Sequence, residues 1–395
     1  MQSTPKGLRL QIAILGKVNA GKSSFLNLMT GQNVSIVSDM AGTTTDTVEK
    51  AQELHPFGPV LWLDTAGFDD QSALAEKRMQ KTMEALERAD VAIVVSKTDD
   101  TADELVERVQ KKNIPLIKII NREGDFAPYQ KDDVLVLNAC DTSKRDEIVH
   151  LVQAALLNIC PDDVLAPPAM LGDLVKSGGK IVMIVPIDTE APKGRLIMPQ
   201  VQAIRDCLEH NQTVIVTKET DYAKILDDLK TPPDLVVCDS QVVKLMTDLT
   251  PRSIKCTTFS ILMARMKGDL KAFVEGAKML NDLADGDKIL ISESCTHHGA
   301  KDDIGTVKIP NLMTKKTGKK LIFEHIAGCA LPLDLKDYRL IVQCGGCTQN
   351  RKAILSKIQA AQKAGVAITN YGVCLSALNG VLERVIEPFD TALNG

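Results

Sequence analysis

The segment GKVNAGKS, residues 16–23, constrains this chain more than any other. It fits the pattern G-x-x-x-x-G-K-[ST] and stands between a strand-like run, RLQIAIL, and a helix-like run, SFLNLMT. A strand, a glycine-rich turn and a helix in that order gather backbone N–H groups around phosphate oxygens. Lys22 is then placed to reach the β and γ oxygens, and Ser23 to bind magnesium. The rest of the chain agrees with this start. Apolar strand-like runs alternate with helix-like ones to the end, the pattern of an α/β protein with parallel sheets.

At 395 residues the chain is long enough for two or three domains. Three blocks emerge. A P-loop domain over 1–165 ends at PDDVLAPPAML, where prolines and aspartates interrupt the periodicity. A middle α/β block over 172–268 has strand-like KIVMIVPI, QTVIVTK, PDLVVCDS and SIKCTTFS, with helix-like PQVQAIRDCLEHN, YAKILDDLK and QVVKLMTDL. It carries no chemical motif; Cys207, Cys238 and Cys256 sit among apolar neighbours and read as buried, and the block reads at most as an assembly module. A third α/β block over 269–395 has helix-like LKAFVEGAKMLNDL, strand-like DKILISES, KLIFEH, RLIVQ and AGVAITN, and one closing helix, CLSALNGVLERVIEPF. Hydrophobic residues at 44% and charged residues at 25% place the whole among soluble globular proteins. A net charge of -4 gives no general attraction to nucleic acid or anionic lipid. Ten cysteines behind a polar N-terminus, with no long apolar run, read for the most part as free thiols in a reducing cytoplasm with no membrane segment.

Further parts of a nucleotide site follow the loop in order. PVLWL leads into DTAG, where Asp64 can hold the magnesium shell and the Gly67 N–H can sense the γ-phosphate, while AGTTTDT offers a switch-loop threonine. Together GKVNAGKSS, AGTTTD and DTAGFDD resemble the GTPases of the Era and TrmE group. That resemblance implies GTP and Mg2+ as ligands. It implies a binding loop of Gly16, Asn19, Ala20, Gly21, Lys22, Ser23 and Ser24, with Thr44 as metal ligand and Thr45 second to it. It also implies that Asn19 holds a K+ ion in place of an arginine finger, which suits a chain with Phe68 where Ras-like enzymes carry a water-orienting glutamine. The guanine-reading N-K-x-D becomes N-R-E-G-D, with Asn121 in place and Asp125 one residue late; Asn138-Ala139-Cys140 resembles the loop that contacts the guanine oxygen.

The other constellation is of cysteines. Cys295 follows DKILISES, Cys344 follows RLIVQ, and Cys347 lies one turn on in CGGC. Strand ends of a parallel sheet share one edge, so three thiolates can converge there, with Gly345 and Gly346 leaving N–H groups open toward sulfur. CTHHGAKDD adds His297, His298, Asp302 and Asp303. The residue types admit an iron–sulfur cluster or a structural zinc, with dithiol exchange behind both. The combination of CTHHG, DDIGTVKIPNL, FEHIAG and CGGC followed by Asn350-Arg351, behind a P-loop block and a middle α/β block, resembles the HydF family of maturation GTPases for iron-only (FeFe) hydrogenase. The resemblance implies a 4Fe–4S cluster on Cys295, Cys344 and Cys347 and a transiently held di-iron precursor. As partners it implies the radical enzymes of maturation, apo hydrogenase and a second copy in a homodimer, with no nucleic acid. The family's histidine before CGGC is Gln343 here, which leaves the fourth iron position to His297, a carboxylate or an exogenous group. His298 and His325 read as supporting residues, Cys329 and Cys374 as incidental thiols. The alternative is an RNA- or ribosome-associated GTPase of the Era and TrmE type with a structural zinc.

Overall fold

In the computed structural model, β1 (Leu10–Leu15) is buried along its whole length, as a strand covered on both faces must be. The structure describes residues 4–31, 48–65, 67, 75–98, 103–165, 168–187, 196–294, 303–328, 331–332, 334–390 and 393, in two compact units, Met1–Pro167 and Pro168–Gly395. In the first unit β1 lies between the parallel strands β3 (Gly58–Asp64) and β4 (Val91–Ser96). β5 (Leu116–Asn121) and β7 (Val134–Leu137) continue the parallel part. β2 (Val48–Leu54) and β6 (Tyr129–Lys131) close the edges antiparallel, giving the order β2-β3-β1-β4-β5-β7-β6.

Successive β1 side chains serve opposite layers, as the two-residue strand period requires. Ile12 and Ile14 pack with Phe25, Leu26 and Met29 of the helix Lys22–Thr30 and with Val152 and Leu156 of the helix Arg145–Ile159. Ala13 and Leu15 pack with Leu86 and Val109 of the helices Ala75–Arg88 and Asp103–Lys111. Each large side chain so buried contributes roughly 1.5–3 kcal/mol. This packing fixes the strand ends from which the nucleotide loops spring.

The second unit holds both later blocks. β8 (Lys180–Ile184), β9 (Thr213–Thr217), β10 (Leu235–Cys238) and β11 (Lys255–Thr258) form an all-parallel sheet in the order β11-β10-β8-β9. β12 (Lys288–Glu293), β13 (Ile322–Ala327), β14 (Tyr338–Gln343) and β15 (Ala367–Asn370) form another, ordered β13-β12-β14-β15. One apolar core runs through both, from Val182 and Val237 through Phe259 and Phe273 to Ile341, Ile358 and Phe389. Cys207, Cys238, Cys256 and Cys374 are buried within the cores, as expected.

Two elements differ from the sequence reading. Phe259 and Ser260, read as the end of a strand, begin a helix, Phe259–Lys267, whose N-cap Thr258 accepts a hydrogen bond from the Ile261 N–H. The closing helix is two, Tyr371–Leu378 and Leu382–Ile386, broken where Gly380 takes a left-handed φ of 71° that ends helices.

Candidate functional site

Gly16 follows β1 and Gly21 caps the helix Lys22–Thr30, so the loop between them is one tight turn. Gly21 has φ 95° and an added Cβ would stand 2.1 Å from Asn121 Nδ2, so no other residue fits. Asn19 also takes a left-handed φ, 60°, which asparagine tolerates better than most residues. The Lys22 ammonium, buried in the loop, donates to the carbonyls of Gly16 (3.1 Å) and Lys17 (2.9 Å). Ser23 and Ser24 occupy the first helical turn. The Ser23 hydroxyl donates to Asp64 Oδ2 at 3.1 Å, uniting the two magnesium-site candidates at the end of β3. Thr65 donates from its hydroxyl to the Ile14 carbonyl (2.8 Å), which holds the DTAG segment against β1, and Gly67 stands against Val18 of the loop. Thr44, Thr45 and Phe68 lie outside the described residues.

Asn121, at the end of β5, uses both ends of its amide. Nδ2 donates to the Ala20 carbonyl at 3.3 Å and Oδ1 accepts from the Ala139 N–H at 2.9 Å, so one side chain staples the phosphate loop to the loop after β7. Asn138 closes that second loop by donating to the Gly124 carbonyl at 3.0 Å. The displaced Asp125 is 95% exposed at its carboxyl and ion-paired with Lys144, which this partner pushes above the ordinary lysine range.

In the second unit, Cys344 directly follows β14 and its N–H bonds the Ser292 carbonyl at 2.8 Å, continuing the ladder to β12. Its sulfur accepts from the Ser294 N–H at 3.2 Å and lies 3.3 Å from the Ser294 hydroxyl. Gly346 takes φ 58°, and an added Cβ would stand 2.6 Å from Ile354 Cδ1, whereas nothing lies within 4 Å of one at Gly345. Both thiols are half-buried. Burial pushes the Cys347 thiol up, Cys344 adds to this, and Lys267 opposes it. Cys295, His297, His298, Asp302 and Cys329 lie outside the described residues, and no three metal-ligating side chains cluster among the described ones. His325 is exposed on β13, and Gln343 is buried with its Oε1 unpartnered among the described residues.

Sequence reasoning missed the residues that support this turn. Lys267, at the end of the helix Phe259–Lys267, is 3% exposed, and burial pushes its ammonium down to about 8 against the attraction of Cys347. It donates to the carbonyls of Gly346 (3.4 Å), Cys347 (3.0 Å) and Gln349 (2.7 Å). Arg351 answers in the other direction, donating to the carbonyls of Met266 (2.9 Å) and Gly268 (3.0 Å), while Asn350 caps the helix Arg351–Ala364. Lys357, also buried, donates to Ser292 Oγ at 3.3 Å. On the other face of β12, Tyr371 donates to Glu293 at 2.8 Å; burial first, then Glu293, pushes its hydroxyl pKa far up. The only trace of these supports in the sequence was the Asn350-Arg351 pair after CGGC.

The donor set fits a thiolate-bound metal cluster. Two thiols share one open turn, main-chain N–H groups face sulfur, and a buried cation lies behind.

Comparison with known proteins adds three profile matches. Residues 11–122 match the 50S ribosome-binding GTPase profile, 170–268 the hydrogen maturase F dimerization domain and 271–388 the hydrogen maturase F tetramerization domain. The tRNA modification GTPase MnmE of Endomicrobium trichonymphae is 40% identical over 134 residues, 32% of this chain and 29% of that protein. GTPase Der of Wolinella succinogenes is 36% identical over 134 residues, 31% and 28% of the two chains. The chain thus spans under a third of the length of either relative. An Aquifex aeolicus Era variant solved with GDP and aluminium fluoride covers 53% of this chain and 93% of its own, at 19% identity and a TM-score of 0.33. Among the described residues no helix is long and apolar enough to cross a membrane.

Proposed function

The chain belongs to the hydrogen maturase F family and carries a GTPase domain, and from that premise we propose that it is a GTP-hydrolysing iron–sulfur scaffold that holds and delivers the di-iron precursor of FeFe hydrogenase. The observation that carries this reading is the CGGC turn, where Cys344 and Cys347 stand at the carboxyl edge of a parallel sheet with the Ser294 N–H on sulfur. Cys295 follows in sequence directly after Ser294, the residue whose N–H bonds the Cys344 sulfur. Cys295, Cys344 and Cys347 would hold a 4Fe–4S cluster, with His297 as a candidate for its fourth position. When bound, the cluster supplies the iron to which the di-iron cargo attaches.

At the other site the loop N–H groups and Lys22 bind the β and γ phosphates of GTP, and Ser23, Asp64 and Thr44 hold Mg2+. The Gly67 N–H senses the γ-phosphate and Asn19 holds K+ in place of an arginine finger. Asn121 and the Ala139 loop form the guanine end, with Asp125 reaching it from one residue late. The division at 165 and again near 268 separates a nucleotide-binding, a self-associating and a cluster-binding part. The protein works in the cytoplasm as a homodimer, with radical maturation enzymes and apo hydrogenase as partners.

The test is anaerobic reconstitution of the full chain and of Cys344→Ala and Cys347→Ala, with iron and acid-labile sulfide measured per chain. We expect equal iron and sulfide in the unaltered chain and loss of stable cluster in both variants, while GTP hydrolysis persists. Zinc without sulfide in the unaltered chain, or a cluster that survives Cys344→Ala, would overturn the reading.

A further inference from the structure

A lysine ammonium has three N–H donors and no acceptor. At Lys267 there are three acceptors, the carbonyls of Gly346, Cys347 and Gln349, and all belong to the cysteine turn and its exit. Taking an ammonium out of water is costly, and chains usually offset that with a carboxylate. Among the described residues no carboxylate pairs with Lys267, and the ionisable group that acts on it is the Cys347 thiol.

The carbonyls have a second consequence. In a trans peptide the C=O and the next residue's N–H point in opposite directions. With the carbonyls of Gly346, Cys347 and Gln349 turned to Lys267, the N–H groups of Cys347, Thr348 and Asn350 face away from it. Two of these, from Cys347 and Thr348, act on the Cys347 sulfur. Successive N–H groups on one side of a turn make an anion-binding concavity. Arg351 holds the last turn of the lysine's helix through the carbonyls of Met266 and Gly268, so the cation cannot swing away without breaking that contact too.

We propose that Lys267 is the positioning residue of the cysteine turn: it holds three carbonyls on one side, which turns the N–H groups of Cys347 and Thr348 toward sulfur, and it sets one positive charge behind an anionic thiolate-bound centre. This rests on the cluster reading above. A thiolate-bound cluster becomes more negative when it takes up an electron, so a fixed cation favours the reduced form. Lys267 therefore sets the reduction potential as well as the shape of the site.

The experiment compares the full chain with Lys267→Gln and Lys267→Met after anaerobic reconstitution, reading iron and sulfide per chain, the paramagnetic signal and the midpoint potential. Glutamine keeps two donors and removes the charge; this variant retains its cluster and its potential moves to a more negative value. Methionine keeps the unbranched stem to within one atom and removes both; it loses cluster content several-fold. Circular dichroism and thermal unfolding matching those of the unaltered chain show that both variants fold, because GTP hydrolysis reads only the first unit. A Lys267→Gln potential equal to that of the unaltered chain overturns the proposal, even if the methionine variant loses its cluster, because structural damage alone predicts that pair of results. An unaltered chain that takes up no iron and sulfide sinks the cluster reading itself, and is told apart by needing no variant.

Discussion

Asn121 shows how a residue can matter to a ligand through the protein. Its two amide contacts, to Ala20 and Ala139, join the glycine-rich loop after β1 to the loop after β7. Removing both, at about 1 kcal/mol each, should cost about 2 kcal/mol, or some thirtyfold in affinity. Asn121→Ala should therefore weaken GTP binding by about that factor, measured by nucleotide titration. Asp125 is different, because its exposed carboxylate meets Lys144 in water, where solvent screens the pair. Asp125→Ala should change the preference for GTP over ATP less than tenfold, measured by competition; a larger loss would make Asp125 the principal guanine reader despite its shift. The residues legible in the sequence, Lys22, Asn121 and Cys344, are those whose chemistry demands one residue type at a fixed spacing. Lys267 was not legible, because its partners are main-chain carbonyls about 80 residues away, which no side-chain motif records.

At the scale of elements the sheets were legible and one central helix was not. Strands such as β1 and β14 announce themselves as apolar runs bounded by turn residues. The helix Phe259–Lys267 buries Phe259, Ile261, Leu262, Met263, Ala264 and Lys267, so it faces core on most sides and shows no helical stripe to read. The turn after β14 yields a prediction from its two glycines. Gly346→Ala forces a side chain into a left-handed conformation and against Ile354, which should cost roughly 1–3 kcal/mol and lower cluster content. Gly345→Ala meets open space and should retain both. Thermal unfolding and iron analysis of the two variants check this, and equal behaviour would mean that the turn is not held in its present conformation.

For the molecule as a whole, the two compact units place nucleotide chemistry in one and the cysteine turn in the other. Lys22→Ala should then abolish GTP turnover, which in the unaltered chain should run faster in potassium than in sodium salts, and leave the reconstituted iron and sulfide unchanged. Loss of both in a folded protein would show that the units depend on each other. The organisation into successive α/β sheets was legible from alternation alone. That the second and third sheets share one core was not, because such sharing is set by contacts between distant segments that periodicity does not encode.

That common interior bears on inheritance. A gene cut after residue 268 would yield a product with Phe259, Ile261 and Leu262 stripped of neighbours such as Phe273, Ile354 and Phe389, an open apolar face prone to aggregate. The sheet matched by the dimerization profile and the sheet that carries CGGC can therefore be gained or lost only together, whereas the GTPase part, with an interior of its own, is free to be fused elsewhere.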